Sequence, residues 1–465
     1  MVTRRDFCLG LTSLAFAGLS GCGLGKGSSS ASTGAASSAQ KLMQRAKGYG
    51  PLTADAQQLL DLPAGFSYDI ISQFGQPMTD GMAVPDRADG MGCLPLDKDR
   101  VALIRNHELS PENLGTQPAS IQQHKSALAY DQLANGIALP GGTTSLIYNL
   151  NTRKVEQEFV SLSGTIRNCA GGVTPWGSWL SCEENVSTPD GKISQSHGYI
   201  FEVPATATGL INAQPLKAMG RFNHEAAAVD PRTGIVYLTE DRGDSLFYRF
   251  LPKTYGKLAE GGQLQALVVK NKPQFDSRNW QNNDMTQFEW LDTQWIDITN
   301  PESPADDLRQ QGFAQGAARF ARGEGIHWAD NELYFCCTNG GAKQLGQIMR
   351  YQPSPVEGTS AEINEPGRLQ LFLESEDKSL FNFGDNLTVT PQGHLIVCED
   401  QYTDVVDNHL RGVTPEGKLY DFARLHAQTE LAGACFSPDG ETLFVNLYSP
   451  AKTLAIRGPW QTVSS

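Results

Sequence analysis

The stretch EAAAVDPRTGIVYLTED (residues 225–241) carries the pattern that decides the fold. A polar start leads into a short apolar strand, a D-P-x-T-G turn reverses the chain, and a second strand ends on acidic residues. Four further stretches repeat this pattern with the same spacing: CAGGVTPWGSWLSCEEN (169–185), EGIHWADNELYFCCTNG (324–340), DNLTVTPQGHLIVCEDQ (385–401) and AGACFSPDGETLFVNLY (432–448). A looser copy with a longer turn is GMGCLPLDKDRVALIRNHE (90–108). The chain therefore contains one β-hairpin that recurs six times.

This recurrence predicts the fold class. Helical periodicity is scarce between the hairpins, and 47 glycines and 25 prolines break the chain into short segments. An ordinary β-sandwich would explain the strands, but it would not explain a sixfold repeat with constant internal spacing. We therefore predict an all-β fold, a six-bladed β-propeller in which each blade is a four-stranded sheet.

Aligning the hairpins on their turns brings acidic residues to equivalent positions. The residues six places before the turn are Cys169, Glu225, Glu324 and Asp385. The second strands end near Glu108, Glu184 and Glu399. Residues equidistant from a turn lie side by side on two paired antiparallel strands. If these are the inner strands of the blades, the acids meet at one mouth of the central channel.

Such a set of acids predicts a metal site in the central channel. Clustered carboxylates cannot all stay ionised unless protons or cations compensate them. Oxygen donors suit Ca²⁺ or Mg²⁺, and a cysteine among carboxylates admits iron or zinc. Each acid by itself could equally be a solvated strand end. Arg322, two residues before Glu324, is suited to hold a phosphate or a carboxylate, and a salt bridge to a neighbouring acid is the alternative.

The N-terminus predicts export and lipidation. Arg4 and Arg5 precede a short apolar run, as in a twin-arginine signal, and Leu-Ser-Gly-Cys places Cys22 as the acylated residue. We predict a signal over residues 1–22, a flexible Gly/Ser/Ala tether over 23–45 and a single propeller domain over 46–465. The protein is then a lipoprotein of the cell envelope that faces the periplasm.

Charge limits the choice of partners. The formal net charge is −14, with no lysine and arginine patch, which argues against nucleic acid. No segment has the length and apolarity of a membrane span, so we expect contact with the membrane only through the lipid anchor. We also expect a monomer.

Several motifs together resemble the PhoX family of bacterial alkaline phosphatases: RNHE (105–108), NCAGGVTPWGSWLSCEEN (168–185), RFNHEAAAVDPRTGIVYLTEDRGDSLFYRF (221–250), RGEGIHW (322–328) and GDNLTVTPQGHLIVCED (384–400). The resemblance runs from about residue 60 to the end of the chain. It implies a six-bladed propeller that holds iron and calcium. It also implies Cys169 as a thiolate ligand of iron and Arg322 as the residue that holds phosphate. The implied carboxylate ligands are Glu184, Glu225, Glu324, Asp385 and Glu399, with Glu108 and Asn386 as further candidates.

The function predicted from these features is metal-assisted hydrolysis of a small phosphate monoester. Two alternatives remain open from the sequence. One is a calcium-dependent lactonase or another phosphoesterase on a propeller, although a site for calcium alone has no use for the thiolate of Cys169. The other is a non-enzymatic binding propeller of the envelope, in which calcium is only structural.

Overall fold

The computed structural model describes residues 44–401 and 403–464. Arg4, Arg5 and Cys22, with the predicted signal and most of the tether, lie outside the described residues. The first described residues, Gln44 and Arg45, contact a strand of the propeller-like fold. Leu419 donates its backbone N–H to the carbonyl of Gln44, and Arg45 forms a parallel bridge to Leu419. The last two residues of the predicted tether are thus part of the fold.

The described chain is built almost entirely of short strands, which follow from the alternating apolar runs between turns. The first strands are β1 Leu52–Thr53, β2 Leu60–Pro63, β3 Ser67–Gln73, β4 Ala88–Pro95, β5 Arg100–His107, β6 Gly141–Asn149, β7 Lys154–Thr165, β8 Asn168–Val173, β9 Ser178–Glu183, β10 Ile200–Pro204, β11 His224–Val229, β12 Val236–Glu240 and β13 Tyr248–Pro252. The others are β14 Gly262–Val269, β15 Trp290–Asp297, β16 Gly323–Trp328, β17 Leu333–Cys337, β18 Gln347–Gln352, β19 Arg368–Glu374, β20 Gly384–Val389, β21 Leu395–Glu399, β22 His409–Val413, β23 Leu419–Leu425, β24 Leu431–Phe436, β25 Thr442–Leu447 and β26 Lys452–Arg457. Two short α-helices are α1 Ala119–Gln122 and α2 Leu308–Ala314.

These strands form five hydrogen-bonded antiparallel sheets within the described residues. Their strand orders are β4-β5-β6-β7, β10-β9-β8, β11-β12-β13-β14-β15-β19-β18-β17-β16, β1-β2-β23-β22-β21-β20 and β24-β25-β26-β3. The prediction of an all-β, propeller-like fold is confirmed. The sheets do not separate into six, because β15 pairs with both β14 and β19 and joins two repeats into one nine-stranded sheet.

The first strands of the six hairpins surround a common channel. They contact one another in the order β4, β8, β11, β16, β20, β24 and then β4 again. The sheet that contains β24 is completed by β3, which comes from the opposite end of the chain and pairs with β26. The two ends of the described chain thus close the ring together, as is common in propellers, where sheet edges must be covered.

The hairpin turns explain why the repeat needs particular residues. After the turn prolines the chain must adopt a left-handed conformation to enter the second strand, and Gly234 does so with φ of 74°. In the hairpin from Glu324 the equivalent residue is Asn331 with φ of 59°. Asparagine tolerates this region better than most residues. The absence of glycine from this turn therefore does not break the repeat.

The inner strands pack closely against their neighbours. A Cβ on Gly90 would lie 2.5 Å from the Cα of Ala170, and one on Gly325 would lie 2.6 Å from the Cα of Asn386. A real side chain does not tolerate such distances, so glycine permits the narrow spacing of the inner strands at these points. Among the described residues, none of the helices is long and apolar enough to cross a membrane.

Candidate metal and phosphate site

Every inner strand carries a β-bulge near its first residue. In the hairpin from Glu225, for example, the register shifts between His224 and Ala227, so two inner residues oppose the single residue Thr239. The same shift occurs in the other hairpins, one residue later in the last one, where it falls on Gly433 and Ala434. A bulge re-aims a side chain that a regular strand would direct into the sheet. The repeat therefore sends one side chain of each hairpin toward the channel mouth.

Three positions of each hairpin meet at this mouth. The bulge position, six residues before the turn, is occupied in five hairpins by Asp89, Cys169, Glu225, Glu324 and Asp385, and the equivalent residue of the last hairpin is Ala432, which directly precedes the bulge there. The entry position, two residues earlier, is occupied by Arg87, Arg167, Asn223, Arg322, Phe383 and Glu430. The strand-end position, after the second strand of the hairpin, is occupied by Glu108, Glu184, Asp241, Thr338, Asp400 and Tyr448. In every hairpin the strand-end N–H donates to the entry carbonyl, at 2.8 to 3.2 Å.

Most of the ligand-type side chains at these positions form one continuous group, which we call the long cluster. Its members are Asp89, Glu108, Cys169, Glu184, Glu225, Asp241 and Glu324, and all are buried. Three overlapping triplets make up the cluster, and within each triplet one ligand atom per residue lies within 4.8 Å of the others. Cys169 belongs to the first two triplets and Glu225 to the last two. The thiol and the central carboxylate thus join the ends of the cluster.

A second group, the short cluster, consists of Asp385, Asp400 and Glu430. Its three carboxylates also converge within 4.8 Å and are buried. Asn386, next to the bulge position, donates its side-chain amide to Asp385 Oδ1 at 3.0 Å and accepts from the N–H of Gly433 at 2.7 Å. Asn386 therefore holds Asp385 against the neighbouring inner strand.

Two entry-position arginines form ion pairs with the long cluster. Arg322 donates Nε and Nη2 to the two oxygens of Asp241 at 2.7 and 2.8 Å, and Nη2 also reaches Glu324 Oε1 at 2.9 Å. Arg167 Nη2 contacts Glu108 Oε1 at 2.7 Å and also pairs with Glu184. Both arginines have φ of 51°, a left-handed conformation that is unusual for a large side chain. The strained backbone aims both guanidiniums at the acids.

The arginine at the first entry position has a different partner. Arg87 Nη1 donates to the hydroxyl of Tyr448 at 3.0 Å, and Tyr448 in turn donates to Glu108. In the three hairpins with an entry arginine, that arginine therefore contacts the strand-end residue of the preceding hairpin: Tyr448 for Arg87, Glu108 for Arg167 and Asp241 for Arg322. The arginines thus link adjacent hairpins at the mouth.

The structure corrects the prediction for Glu399. Its carboxylate accepts hydrogen bonds from Arg411 Nε at 2.9 Å and from the N–H groups of Asn382 and His409, so it lies inside the sheet. The next residue, Asp400, takes its place in the short cluster. The physical reason is strand alternation, which sends consecutive side chains to opposite faces.

Equivalent buried acids occur in two other hairpins. Glu183 contacts His197 Nδ1 at 2.6 Å, and Glu240 accepts from the hydroxyl of Tyr248 at 3.0 Å. Burial raises the pKa of Glu240 to about 7, although Arg309 opposes this effect. At each of these strand ends the first acid of the pair stabilises the sheet and the second faces the mouth.

The structure places the other predicted residues as follows. Cys169, Glu184, Glu225, Glu324 and Glu108 lie in the long cluster, and Asp385 lies in the short one. Arg322 contacts the long cluster. The sequence reasoning missed Asp89, Asp241, Asp400 and Glu430 as site residues. The spacing could have found Asp89, which lies six residues before Pro95, as Cys169 lies six before Pro175.

A cavity of about 360 Å³ occupies the channel beyond the bulges. Small residues such as Gly90, Ala170 and Ala226 line its near end, and Trp328 and Phe436 lie toward the turns. Among the predicted ligands only Asn386 lines it. The acids therefore lie at the end of this cavity rather than within it.

The donor set fits bound cations. The long cluster brings six carboxylates and one thiol together in a buried region, and among the described residues two guanidiniums form ion pairs with it. Burial of so many carboxylates in one region is costly unless cations or protons compensate their charge. Carboxylate oxygens suit hard cations, and the thiol admits a transition metal.

A solved structure supports the fold. The chain resembles the structure of Pseudomonas fluorescens PhoX in complex with vanadate, a transition state analogue, with a TM-score of 0.63 and 18% identity over 89% of this chain and 98% of that one. A gluconolactonase from Xanthomonas campestris, at 11% identity and a TM-score of 0.42, covers 88% of this chain and 98% of its own. That likeness is too distant to bear on function. A sequence search against curated proteins finds no match.

The family assignment comes from the sequence profile described as "Alkaline phosphatase PhoX". This profile matches residues 47–151 and 137–451, nearly the whole of the described chain. The matched ranges include every residue of both clusters and all three entry-position arginines. The chain belongs to the PhoX family of alkaline phosphatases.

Proposed function

We propose that this protein hydrolyses small phosphate monoesters with the help of calcium and a transition metal, iron being our choice. The observation that carries the proposal is the long cluster, with Arg322 held against its Asp241–Glu324 end. Family membership and the vanadate complex of the Pseudomonas fluorescens relative support a site that accepts a phosphoryl group.

The types of donor atom suggest which residues would bind each of the proposed metals. Asp89, Glu108, Glu184 and Glu225 would hold iron together with the Cys169 thiol, because these four carboxylates share triplets with that thiol. Glu324, Asp241 and the short cluster offer oxygen alone and would hold calcium. When bound, such cations neutralise phosphate oxygens and lower the pKa of a bound water.

Arg322 is the side chain that we expect to bind the phosphoryl group directly. Asp241 and Glu324 orient the guanidinium of Arg322, which is 19% exposed at the mouth. A planar guanidinium donates paired hydrogen bonds to two phosphoryl oxygens and favours the transition state, in which negative charge gathers on those oxygens. The same paired geometry that binds Asp241 in the structure suits a phosphoryl group.

We also propose the finer architecture and the cellular location. The nine-stranded sheet counts as two blades joined by β15, which gives six blades around the ring of inner strands. The predicted signal at Arg4 and Arg5 and the acylated Cys22 would place the folded protein on the envelope as a monomeric lipoprotein that faces the periplasm. Such a route would allow the metal site to fill before export.

The test is a phosphatase assay of protein purified without chelator. We expect turnover of p-nitrophenyl phosphate with calcium and iron present, and none above background for Glu324→Ala. Elemental analysis of the same samples should find calcium and one transition metal. Wild-type activity no higher than that of Glu324→Ala would refute the enzymatic proposal.

The same samples separate the alternatives. A calcium-dependent lactonase would contain calcium without a transition metal, and Cys169→Ser would leave its activity intact. A non-enzymatic binding propeller would show no turnover, and changes at Cys169 or Arg322 would leave its stability unchanged. The presence of a buried thiol beside Asp89 and Glu225 argues against the first alternative, and the turnover assay decides the second.

A further inference from the structure

Arg242 lies at the channel mouth directly beside the proposed phosphate-binding arginine. It follows the strand-end residue Asp241, and its backbone carbonyl accepts the N–H of Arg322 at 3.0 Å. Its side chain is 32% exposed, more than those of Arg322 and Arg167. Arg242 is therefore a cation at the rim of the site, with part of its side chain exposed to solvent.

The guanidinium is oriented through one of its nitrogens. Nη2 donates to Asn223 Oδ1 at 3.0 Å and to Asp306 Oδ2 at 3.2 Å. The structure shows no hydrogen bond from Nε or Nη1 to the described part of the chain, so these two donors face solvent. Asp306 also accepts from Arg309 Nη1 at 3.0 Å, so its charge is shared between two cations. Arg242 is held in place while most of its donors stay available.

The partner Asn223 explains how Arg242 reaches the site. Asn223 occupies the entry position that Arg167 and Arg322 occupy in the two flanking hairpins. In this hairpin the entry side chain is a short amide, and it bonds a guanidinium that comes from the strand end instead. Arg242 therefore gives this hairpin a positive charge at the mouth, as Arg167 and Arg322 do for the two flanking hairpins.

We propose that Arg242 binds a second anionic group of the substrate, a carboxylate or a further phosphate, while the reacting phosphoryl group lies on Arg322 and the long cluster. The inference rests on the proposed function and narrows it to phosphate monoesters that carry a second negative charge. Arginine is suited to this task because its paired N–H donors match both carboxylate and phosphate oxygens. Because the Arg242 side chain is partly exposed, it is suited to bind a substrate group that stays near solvent.

The control for a simple charge effect is Arg232, at the other end of the same hairpin. It pairs with a single carboxylate, Asp230, and its side chain is 38% exposed, much like that of Arg242. Arg232 lies beside the turn and Arg242 beside the acids. Arg242→Gln and Arg232→Gln change the net charge equally, and only the first changes the rim of the site.

The experiment compares matched substrates. KM and kcat are measured for phenyl phosphate, for 4-carboxyphenyl phosphate and for hydroquinone diphosphate, in which a second phosphate monoester replaces the carboxylate, with the metal-loaded wild type and with Arg242→Gln, Arg242→Lys and Arg232→Gln. We expect Arg242→Gln to raise KM about tenfold for the substrates with the added anion, the loss of one charge-assisted contact. We expect the KM of phenyl phosphate to change less than twofold, and Arg242→Lys to restore part of the difference. The carboxylate and diphosphate arms show which second anion is preferred.

Binding separates this inference from the proposed function. Calorimetric titration with phenylphosphonate and 4-carboxyphenylphosphonate measures the same contrast without turnover. Tighter binding of the carboxylated compound that Arg242→Gln abolishes and Arg232→Gln preserves supports the inference, even if no ester is hydrolysed. Equal affinity of wild type for the two phosphonates, binding of neither, or equal losses in both glutamine variants would overturn it.

Discussion

The long and short clusters are built from the same three hairpin positions and yet differ in donor chemistry. The long cluster contains a thiol, Cys169, at a bulge position that four other hairpins fill with a carboxylate, from Asp89, Glu225, Glu324 or Asp385. The short cluster contains only carboxylates, and one of them, Glu430, comes from an entry position, since its hairpin has Ala432 where the other hairpins carry a ligand side chain. Single substitutions within a fixed geometry therefore determine which cation each cluster suits.

The two clusters are separated where the repeat loses its acids. Between Glu324 and Asp385 the strand-end residue is Thr338, whose hydroxyl donates to the carbonyl of Gly384 at 3.0 Å, and the entry residue is Phe383. At the seam between the last and first hairpins, Ala432 and Tyr448 occupy two of the three positions. We expect each cluster to bind and lose its cations independently of the other, and the following predictions test this.

The largest effect is expected at Glu225, because it joins two of the three triplets of the long cluster. Glu225→Gln removes the shared charge without changing the shape, and we expect kcat/KM to fall about 100-fold or more. The matched change in the short cluster is Asp385→Asn, which should lower calcium content and leave the transition metal bound. Metal analysis and steady-state kinetics measure both. Unchanged metal content in Glu225→Gln would contradict the central role of this residue.

The next effect concerns the thiol. Cys169→Ser should abolish binding of the transition metal and the visible absorption that a thiolate–iron bond produces, while calcium remains. The control is Cys182→Ser, because Cys182 is also buried and lies opposite the same bulge, yet belongs to neither cluster. Absorption spectra and elemental analysis provide the readout. A spectrum unchanged by Cys169→Ser would remove the chemical distinction between the clusters.

Glu399 and Asp400 are adjacent, and we expect their changes to have opposite consequences. Asp400→Asn should weaken calcium binding about 10- to 100-fold with little change in fold stability. Glu399→Gln removes one of the two carboxylates that pair with the buried guanidinium of Arg411, the other being Asp421, and should lower the free energy of unfolding by about 2 kcal/mol. Calcium titration and denaturant unfolding separate the two effects. Equal calcium loss in both variants would mean that Glu399 also contributes to the site.

The smallest predicted effect is a pH dependence of stability at His197, which supports the sheet behind Glu184. Burial alone would lower the pKa of His197, but Glu183 and Asp131 raise it from 6.5 to about 9. The stabilisation is therefore complete below pH 6.5 and is lost as the pH rises through about 9. Relative to His197→Gln, the wild type should lose about 2 to 3 kcal/mol over this range. A difference between the two unfolding free energies that does not vary with pH would contradict the ion pair.

The sequence predicted the hairpin repeat well because turn residues and strand length are local properties. Constant spacing from a turn also singled out Cys169, Glu225 and Glu324, which lie in the long cluster, and Asp385, which lies in the short one. The prediction failed at Glu399, because which of two consecutive acids faces the channel depends on where pairing ends. It missed Glu430 because this carboxylate comes from the entry position. In three other hairpins the entry position carries an arginine, so the repeat gives no reason to expect a metal ligand there. Contacts between hairpins, such as the one from Arg87 to Tyr448, cannot be predicted from the sequence pattern of one hairpin.

The pairing of β3 with β26 has a consequence for the order of events in synthesis. β3 is made early and must wait for β26, about 380 residues later, before its hydrogen-bonding edge is covered. Bringing such distant segments together carries an entropic cost that grows only slowly with their separation. A nascent chain on the ribosome therefore holds a gap beside the first hairpin until the last strand emerges. A truncation that removes β26 (Lys452–Arg457) would leave the edge of β3 exposed and the newborn protein prone to aggregation.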